Sequence, residues 1–226
     1  GHMTGSAGLY VYAIEGRPLG DIYGNAYKRD SNGKVIVNEN GLPISESNSY
    51  LGNINPDFTG SFSINAAYKN FNLNALFQFR KGGDLFSVTE YGAARNGTAK
   101  RTENREDFVF DGVTESGATN TTKISAQSFW VNSIDEEFMY DASFLKLGEL
   151  SFGYSFGRDF LERTTNGIIN NARLSVFGSN LAYLFKNTPG TTPDGSATDT
   201  SVFAQALDLC PFPSARTFGV SLNIGF

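Results

Sequence analysis

The densest acidic run is Asp135-Glu136-Glu137, and two carboxylates can work as acid and base across one bond. Adjacent residues do not converge on a single bond, so this run is expected to be a solvated loop or the start of a helix. Asp30-Ser31-Asn32-Gly33 and Asn38-Glu39-Asn40-Gly41 have the oxygen-rich look of calcium loops. Neither supplies the full ligand run ending in a bidentate Glu, and both read as turns of a small hairpin around Val35-Ile36-Val37. The sole histidine, His2, lies in Gly1-His2-Met3, which looks like the scar of a cleaved purification tag. With those residues set aside, no Ser-His-Asp or Cys-His arrangement can be assembled. Cys210 is the only cysteine, which excludes an internal disulfide and a multi-cysteine metal site; it reads as a small buried or loop residue. No Gly-x-Ser-x-Gly or phosphate-binding loop is present. No catalytic, cofactor-binding or metal residue is therefore named, no cofactor is expected, and the chain is not expected to be an enzyme.

The elements that would position any site are strands. Aromatic residues make up 14% of the chain and charged residues only 18%, with 25 glycines, a balance that suits many strands with polar connections. The net charge of −5 offers no basic stripe to neutralise phosphates, so no nucleic-acid partner is expected. No stretch approaches the roughly 20 apolar residues of a membrane helix. The mean hydropathy of −0.25 is nonetheless compatible with a membrane barrel, which hides its lipid-facing residues at every second position.

Period two is written along the chain. Phe62, Ile64, Ala66 and Tyr68 alternate with Ser61, Ser63, Asn65, Ala67 and Lys69; Phe71, Leu73, Ala75, Phe77 and Phe79 then alternate with Asn72, Asn74, Gln78 and Arg80, with Leu76 the one breach. Lys69-Asn70 between them predicts a two-residue hairpin turn, Asn being comfortable at positive φ. Ala142–Phe156 changes phase near Gly148, which predicts a bulge. Ala172–Phe185 also changes phase, from Leu174 and Val176 to Leu181 and Tyr183. In Thr217–Phe226 the apolar Phe218, Val220, Leu222, Ile224 and Phe226 alternate with Thr217, Gly219, Ser221, Asn223 and Gly225. Leu9–Ile14 is a candidate sixth strand.

The expected fold is thus all-β: an antiparallel meander of about five or six long strands, forming part of a large transmembrane β-barrel with long extracellular loops. Phe62, Phe77, Phe152, Val220 and Leu222 should share the outward face, and Ser63, Gln78, Ser151 and Ser221 the other. A soluble sandwich with one wet face gives the same alternation. The connections favour the barrel: Lys69-Asn70 is tight and Gly157–Asn171 moderate, whereas Glu15–Thr59, Gly82–Asp141 and Lys186–Ala215 are long, in strict alternation. That order puts Phe226 on the short-turn, periplasmic side. Phe226 extends the apolar stripe and resembles a terminal assembly signal; an anchor at the membrane interface is a compatible reading. The long connections, with Phe108, Phe110, Phe129, Trp130, Phe138 and Tyr140, are expected to carry recognition as a whole, while each ring singly is expected to pack the loop against itself or join an aromatic belt.

Particular motifs resemble a known family. Asn53-Ile54-Asn55-Pro56-Asp57-Phe58, Tyr68-Lys69-Asn70-Phe71, Gly82-Gly83-Asp84-Leu85-Phe86, Ala142-Ser143-Phe144-Leu145-Lys146-Leu147, Asn180-Leu181 and Pro213-Ser214-Ala215-Arg216-Thr217-Phe218 are similar to motifs near the end of the SusC/RagA family. Glu15-Gly16-Arg17-Pro18-Leu19 with Gly24 also resembles the loop before its Asn-Pro-Asp motif. Members are TonB-dependent transporters of Bacteroidetes outer membranes. The resemblance implies an importer of glycans, or in some members peptides, that works with a SusD-type lipoprotein and with the TonB complex through a plug region. Barrel-assembly machinery and outer-membrane lipid are the other implied partners. Residues 4–226 would then be the C-terminal part of a barrel of about 22 strands, produced recombinantly without its plug. The rival reading is an independent small β-barrel or sandwich acting as a surface binding module; an outer-membrane enzyme is third, for want of a catalytic constellation.

Overall fold

The computed structural model describes residues 8–194, 206–210 and 214–226. The expected tag scar, Pro213 of the closing motif and part of the last long connection lie outside the described residues. The chain divides into two compact units, one of residues 57–81, 143–186 and 213–226, the other of residues 1–56, 82–142 and 187–212.

The first unit is the meander. Its strands are β1 (Phe58–Tyr68), β2 (Phe71–Lys81), β3 (Phe144–Ser155), β4 (Asn171–Lys186) and β5 (Thr217–Gly225). They hydrogen-bond in chain order, each antiparallel to the next. Partners across an antiparallel ladder share a face, so the register sorts the side chains. Phe62 lies opposite Phe77, Leu73 opposite Phe152, Phe152 opposite Val176, Val176 opposite Val220, and Leu174 opposite Leu222. On the other face Ser61 meets Gln78, Ser63 meets Leu76, Asn74 meets Ser151, and Ser175 meets Ser221. Both predicted sets therefore hold, and Leu76 sits among the polar residues as the expected breach.

The phase changes have structural causes. On β3 the register slips between Leu147 and Glu149, so Gly148 is the bulged residue. Opposite it β4 skips Asn180 and Leu181, and Asn180 takes φ +54° while its amide donates to the Ala215 carbonyl at 3.2 Å. Skipping two residues keeps the alternation of β4, so Ala182 lies opposite Leu147 on the apolar face and Tyr183 opposite Lys146 on the polar face; a further slip passes over Leu184 and puts Phe185 opposite Leu145. The sequence pattern had put Tyr183 on the apolar side; the two skipped residues leave the parity of β4 as it was, so Tyr183 falls on the polar face. In the β1–β2 turn the left-handed residue is Lys69, at φ +54°, and not the expected Asn70.

That turn, the β3–β4 connection with its helix Arg158–Thr165, and Phe226 stand at one end of the sheet. The long connections leave from the other. Neither β1 nor β5 pairs with the other, so the meander has two outer edges and is not a closed small barrel. Among the described residues no helix is long and apolar enough to cross a membrane, which says nothing about strands that do.

The second unit is built from the long connections. Tyr10–Tyr12 pairs antiparallel with Asp21–Tyr27, which pairs with Ser45–Asn53. The candidate sixth strand is thus three residues long and belongs to this sheet, not to the meander. Asp84–Ser87 is flanked by Met139–Asp141, antiparallel, and Leu207–Asp208, parallel. Helices Val88–Arg95 and Ala126–Val131 and the short helical turn Asp135–Phe138 also belong to this unit. These connections fold because they carry their own apolar residues: Ile22, Phe86 and Phe138 are fully buried together with Leu9, Val11 and Ile54.

Candidate functional site

The polar face of the meander is the first place where chemistry could occur. Ser63, Asn65, Asn74, Ser151 and Ser179 line a shallow hollow of about 540 Å³ on it. The Asn74 amide donates to Ser151 Oγ at 3.2 Å and the Asn223 amide to Ser221 Oγ at 3.4 Å. Toward the long-connection end, Lys146 is buried with its ammonium 5.3 Å from the Tyr183 ring, and that of Lys186 lies 5.7 Å from the same ring. The amides and hydroxyls can exchange hydrogen bonds with water or a polar solute, but they include no activated nucleophile with its base. The opposite face is apolar and uncovered: Phe218 is 73% exposed and Val220 70%. Large side chains left open in a continuous sheet face signal a medium or partner other than water.

Asp135-Glu136-Glu137 begins a short helical turn, Asp135–Phe138, as one of its two expected readings had it, but Asp135 is buried and the two glutamates are only partly exposed. Asp135 is buried and accepts from both the backbone and side-chain amides of Asn25, at 3.0 and 2.9 Å. Burial pushes its carboxyl above the usual carboxylate range, and the two Asn25 bonds oppose that only in part. Glu136 accepts from Tyr27 N at 2.7 Å and pairs with Arg29; Glu137 accepts from the Tyr27 phenol at 2.9 Å and pairs with Arg101. Burial, and then the Glu137 charge, push the Tyr27 phenol up. The three acids point to different groups, on Asn25, Tyr27, Arg29 and Arg101, and pin the turn to the strand Asp21–Tyr27. They are structural.

The two calcium-like runs are turns. Asp30 Oδ1 accepts from Asn32 N and Lys34 N at 2.8 and 2.9 Å, and Asn38 Oδ1 accepts from Asn40 N and Leu42 N at 3.0 Å each. Gly33 and Gly41 supply the left-handed residues at φ +81° and +77°. The Lys34 and Asn32 amides hold the Asp30 carboxyl below the usual range. Oxygens committed to their own turn do not converge on a cation, and no group of three or more potential metal ligands occurs among the described residues. Cys210 is an exposed loop residue, so the buried alternative for it falls. The loop aromatics pack on one another: Phe129 meets Phe108, Phe110 and Trp130 at 5.4, 5.6 and 4.9 Å, and Phe138 meets Tyr91 at 5.3 Å.

Sequence reading missed two joints. The Asn53 amide N–H donates to Asp84 Oδ2 at 3.0 Å while its side chain donates to Asp21 at 2.8 Å, so the motifs at 53–58 and 82–86 meet. Asp208 accepts from Ser87 Oγ, Thr89 Oγ1 and Cys210 N at 2.6, 2.8 and 3.1 Å, and Ser87 also caps the helix Val88–Arg95. Only the family-like spelling of the first joint hinted at either.

No protein-family model matches the chain. It is similar to "TonB-dependent receptor P3" of Formosa agariphila, with 30% identity over 243 aligned residues, 94% of this chain and 22% of the relative. "TonB-dependent receptor P39" of the same organism is 24% identical over 85% of this chain and 18% of its own length. The chain thus spans about a fifth of the length of the curated relatives it matches. Among solved structures, the RagAB peptide transporter matches with a TM-score of 0.62 at 19% identity, over 96% of this chain and 23% of that one. The RagAB peptide importer in its open-open state matches with 0.63 at 17% identity, over 100% and 28%. The chain shares its fold with part of the RagAB structures, and by its sequence it belongs to the TonB-dependent receptor family.

Proposed function

We propose that the parent protein is an outer-membrane importer driven through TonB, and that residues 4–226 contribute five strands of its wall. The observation that carries this reading is the two-faced meander, apolar on one side and Ser/Asn-rich on the other, whose long connections all leave one end. In a bilayer the apolar face meets acyl chains and every central backbone group is paired within the sheet, so the strands cross without unsatisfied polar atoms. The polar face then borders the lumen, and the long connections stand on the outer side. The cargo is a glycan or a peptide, a SusD-type lipoprotein covers the outer mouth, and a plug elsewhere in the parent contacts TonB. The role is transport and not catalysis, in keeping with relatives that are receptors.

The test is uptake. Deleting the parent gene from its bacterium should abolish energised accumulation of a labelled oligosaccharide or oligopeptide, and a protonophore should do the same to the wild type. Undiminished, protonophore-sensitive uptake of both cargo classes in the deletion strain would overturn the reading.

A further inference from the structure

In the unit formed by the long connections, helices Val88–Arg95 and Ala126–Val131 border a hollow of about 360 Å³, within the size range of small-ligand sites. Its lining includes Arg95, Asn96, Arg105, Gln127 and Trp130. Other arginines of this unit are committed to carboxylates: Arg17 to Asp21, Arg29 to Glu136 and Arg101 to Glu137. Arg95 and Arg105 have no carboxylate partner among the described residues. Each guanidinium carries five N–H donors. Arg95 gives one to the Tyr91 hydroxyl at 2.8 Å and Arg105 one to the Gly97 carbonyl at 3.3 Å. These bonds fix both groups beside the helix end and leave most of their donors directed elsewhere. Two guanidiniums without counter-charge on one concavity form a site for an oxyacid, which each can grip in bidentate fashion.

The remaining lining narrows the ligand. Asn96 and Gln127 are exposed amides, able to donate and accept at once, as a vicinal diol requires. Trp130 is half-buried, held edge-on by Phe129 at 4.9 Å and with the Arg101 guanidinium 5.2 Å from its ring, and it lends the hollow an apolar indole surface. An indole for the C–H face of a pyranose, amides for its hydroxyls and arginines for its acid group together describe a sugar acid. An acidic peptide could use the arginines and the amides, but its carboxylate side chains offer no C–H face to the indole. We propose that this hollow binds an oligosaccharide bearing carboxylate or sulfate groups. The proposal rests on the importer reading, which places this unit where cargo arrives, and it assigns that cargo to the acidic saccharides.

Binding to the 226-residue chain in detergent micelles tests it by calorimetric titration. The probes are an oligogalacturonate, a sulfated oligosaccharide, a neutral oligosaccharide of equal length, and tetraglutamate. At least one acidic saccharide should bind, with the neutral one and tetraglutamate weaker by on the order of tenfold or more. Arg95→Gln with Arg105→Gln should weaken the acidic saccharide by a similar factor, whereas Lys100→Gln, which removes a nearby exposed charge outside the lining, should not. All three positions are exposed, so the variants should keep the strand signal of the parent in circular dichroism. Absence of binding by both acidic saccharides, equal loss with Lys100→Gln, or tetraglutamate binding as tightly as the saccharide would overturn the proposal. Energised uptake is not needed for this titration, so the site and the importer reading can fail separately.

Discussion

Val220 and Ser221 are neighbours in β5 with opposite surroundings, and replacing each in turn by arginine in the full-length parent separates the two faces of the sheet. Val220 is the fourth of the strand's nine residues, is 70% exposed, and lies opposite Val176 on the apolar face. Ser221 lies opposite Ser175 on the polar face. Because so little of Val220 touches protein, Val220→Arg removes almost no packing and its cost is set by the medium. Arginine facing lipid near the middle of a barrel strand costs about 2–4 kcal/mol, and near the interface about 0–1. With about 1.4 kcal/mol per decade, the mid-bilayer cost lowers the inserted-to-unfolded ratio by roughly 30- to 700-fold. Ser221→Arg places the same charge toward the lumen, where water can solvate it, and should cost less than about 1 kcal/mol. Strand propensity is nearly the same for both, and Arg173, opposite Asn223 on the polar face, can only raise the cost of Ser221→Arg, so a larger cost for Val220→Arg is owed to the face. The assay is refolding into phospholipid vesicles across a urea series, read by the heat-modifiable shift on gels and by tryptophan fluorescence. Equal costs for the two variants, or a larger cost for Ser221→Arg, would refute the assignment of the apolar face to lipid.

Phe138→Ala should destabilise the unit built from the long connections by about 3–5 kcal/mol in urea melts, since the ring is fully buried among Phe86, Tyr91 and Arg101; a loss below about 1 kcal/mol would show that this core is not formed. Asp135 has a raised folded pKa, so the fold holds its proton more tightly than the unfolded chain does; its contribution is fully present below the unfolded pKa and is lost as pH rises through the folded one. Asp135→Asn keeps an acceptor for Asn25, and its stability relative to wild type should therefore climb between about pH 3 and pH 7; a relative stability that falls over that range contradicts the sign. Deleting Phe226, which extends the apolar stripe of β5 and is 82% exposed, should sharply lower the membrane-inserted yield in the parent while assembled barrels stay nearly as stable. Normal insertion with a stability loss of about 1.5–3 kcal/mol would instead mark it as an interfacial anchor.

What the sequence determined by itself is the two-facedness of the meander. Alternation along a pleated strand is a local property, so Phe62, Phe77, Phe152, Val220 and Leu222 could be placed on one face, and the tight turn and the bulge at Gly148 located, without knowing any distant partner. The family-like motifs were legible for a related reason: Asn53, Asp84 and Asn180 occupy backbone joints that few other side chains can serve. Tertiary structure alone decided what the long connections are. Asn25 meets Asp135 across 110 residues and Ser87 meets Asp208 across 121, so a carboxylate that looked solvated is buried, and a cysteine free to be buried is exposed. No period encodes such pairings, because short polar side chains take whichever donor the closing of a distant loop brings to them. The same holds for Tyr10–Tyr12, whose alternation suits any sheet; the neighbour that claimed it was Asp21–Tyr27, a strand too irregular to be read in advance. The hollow between Arg95, Arg105 and Trp130 is likewise tertiary, since it exists only once two short helices pack.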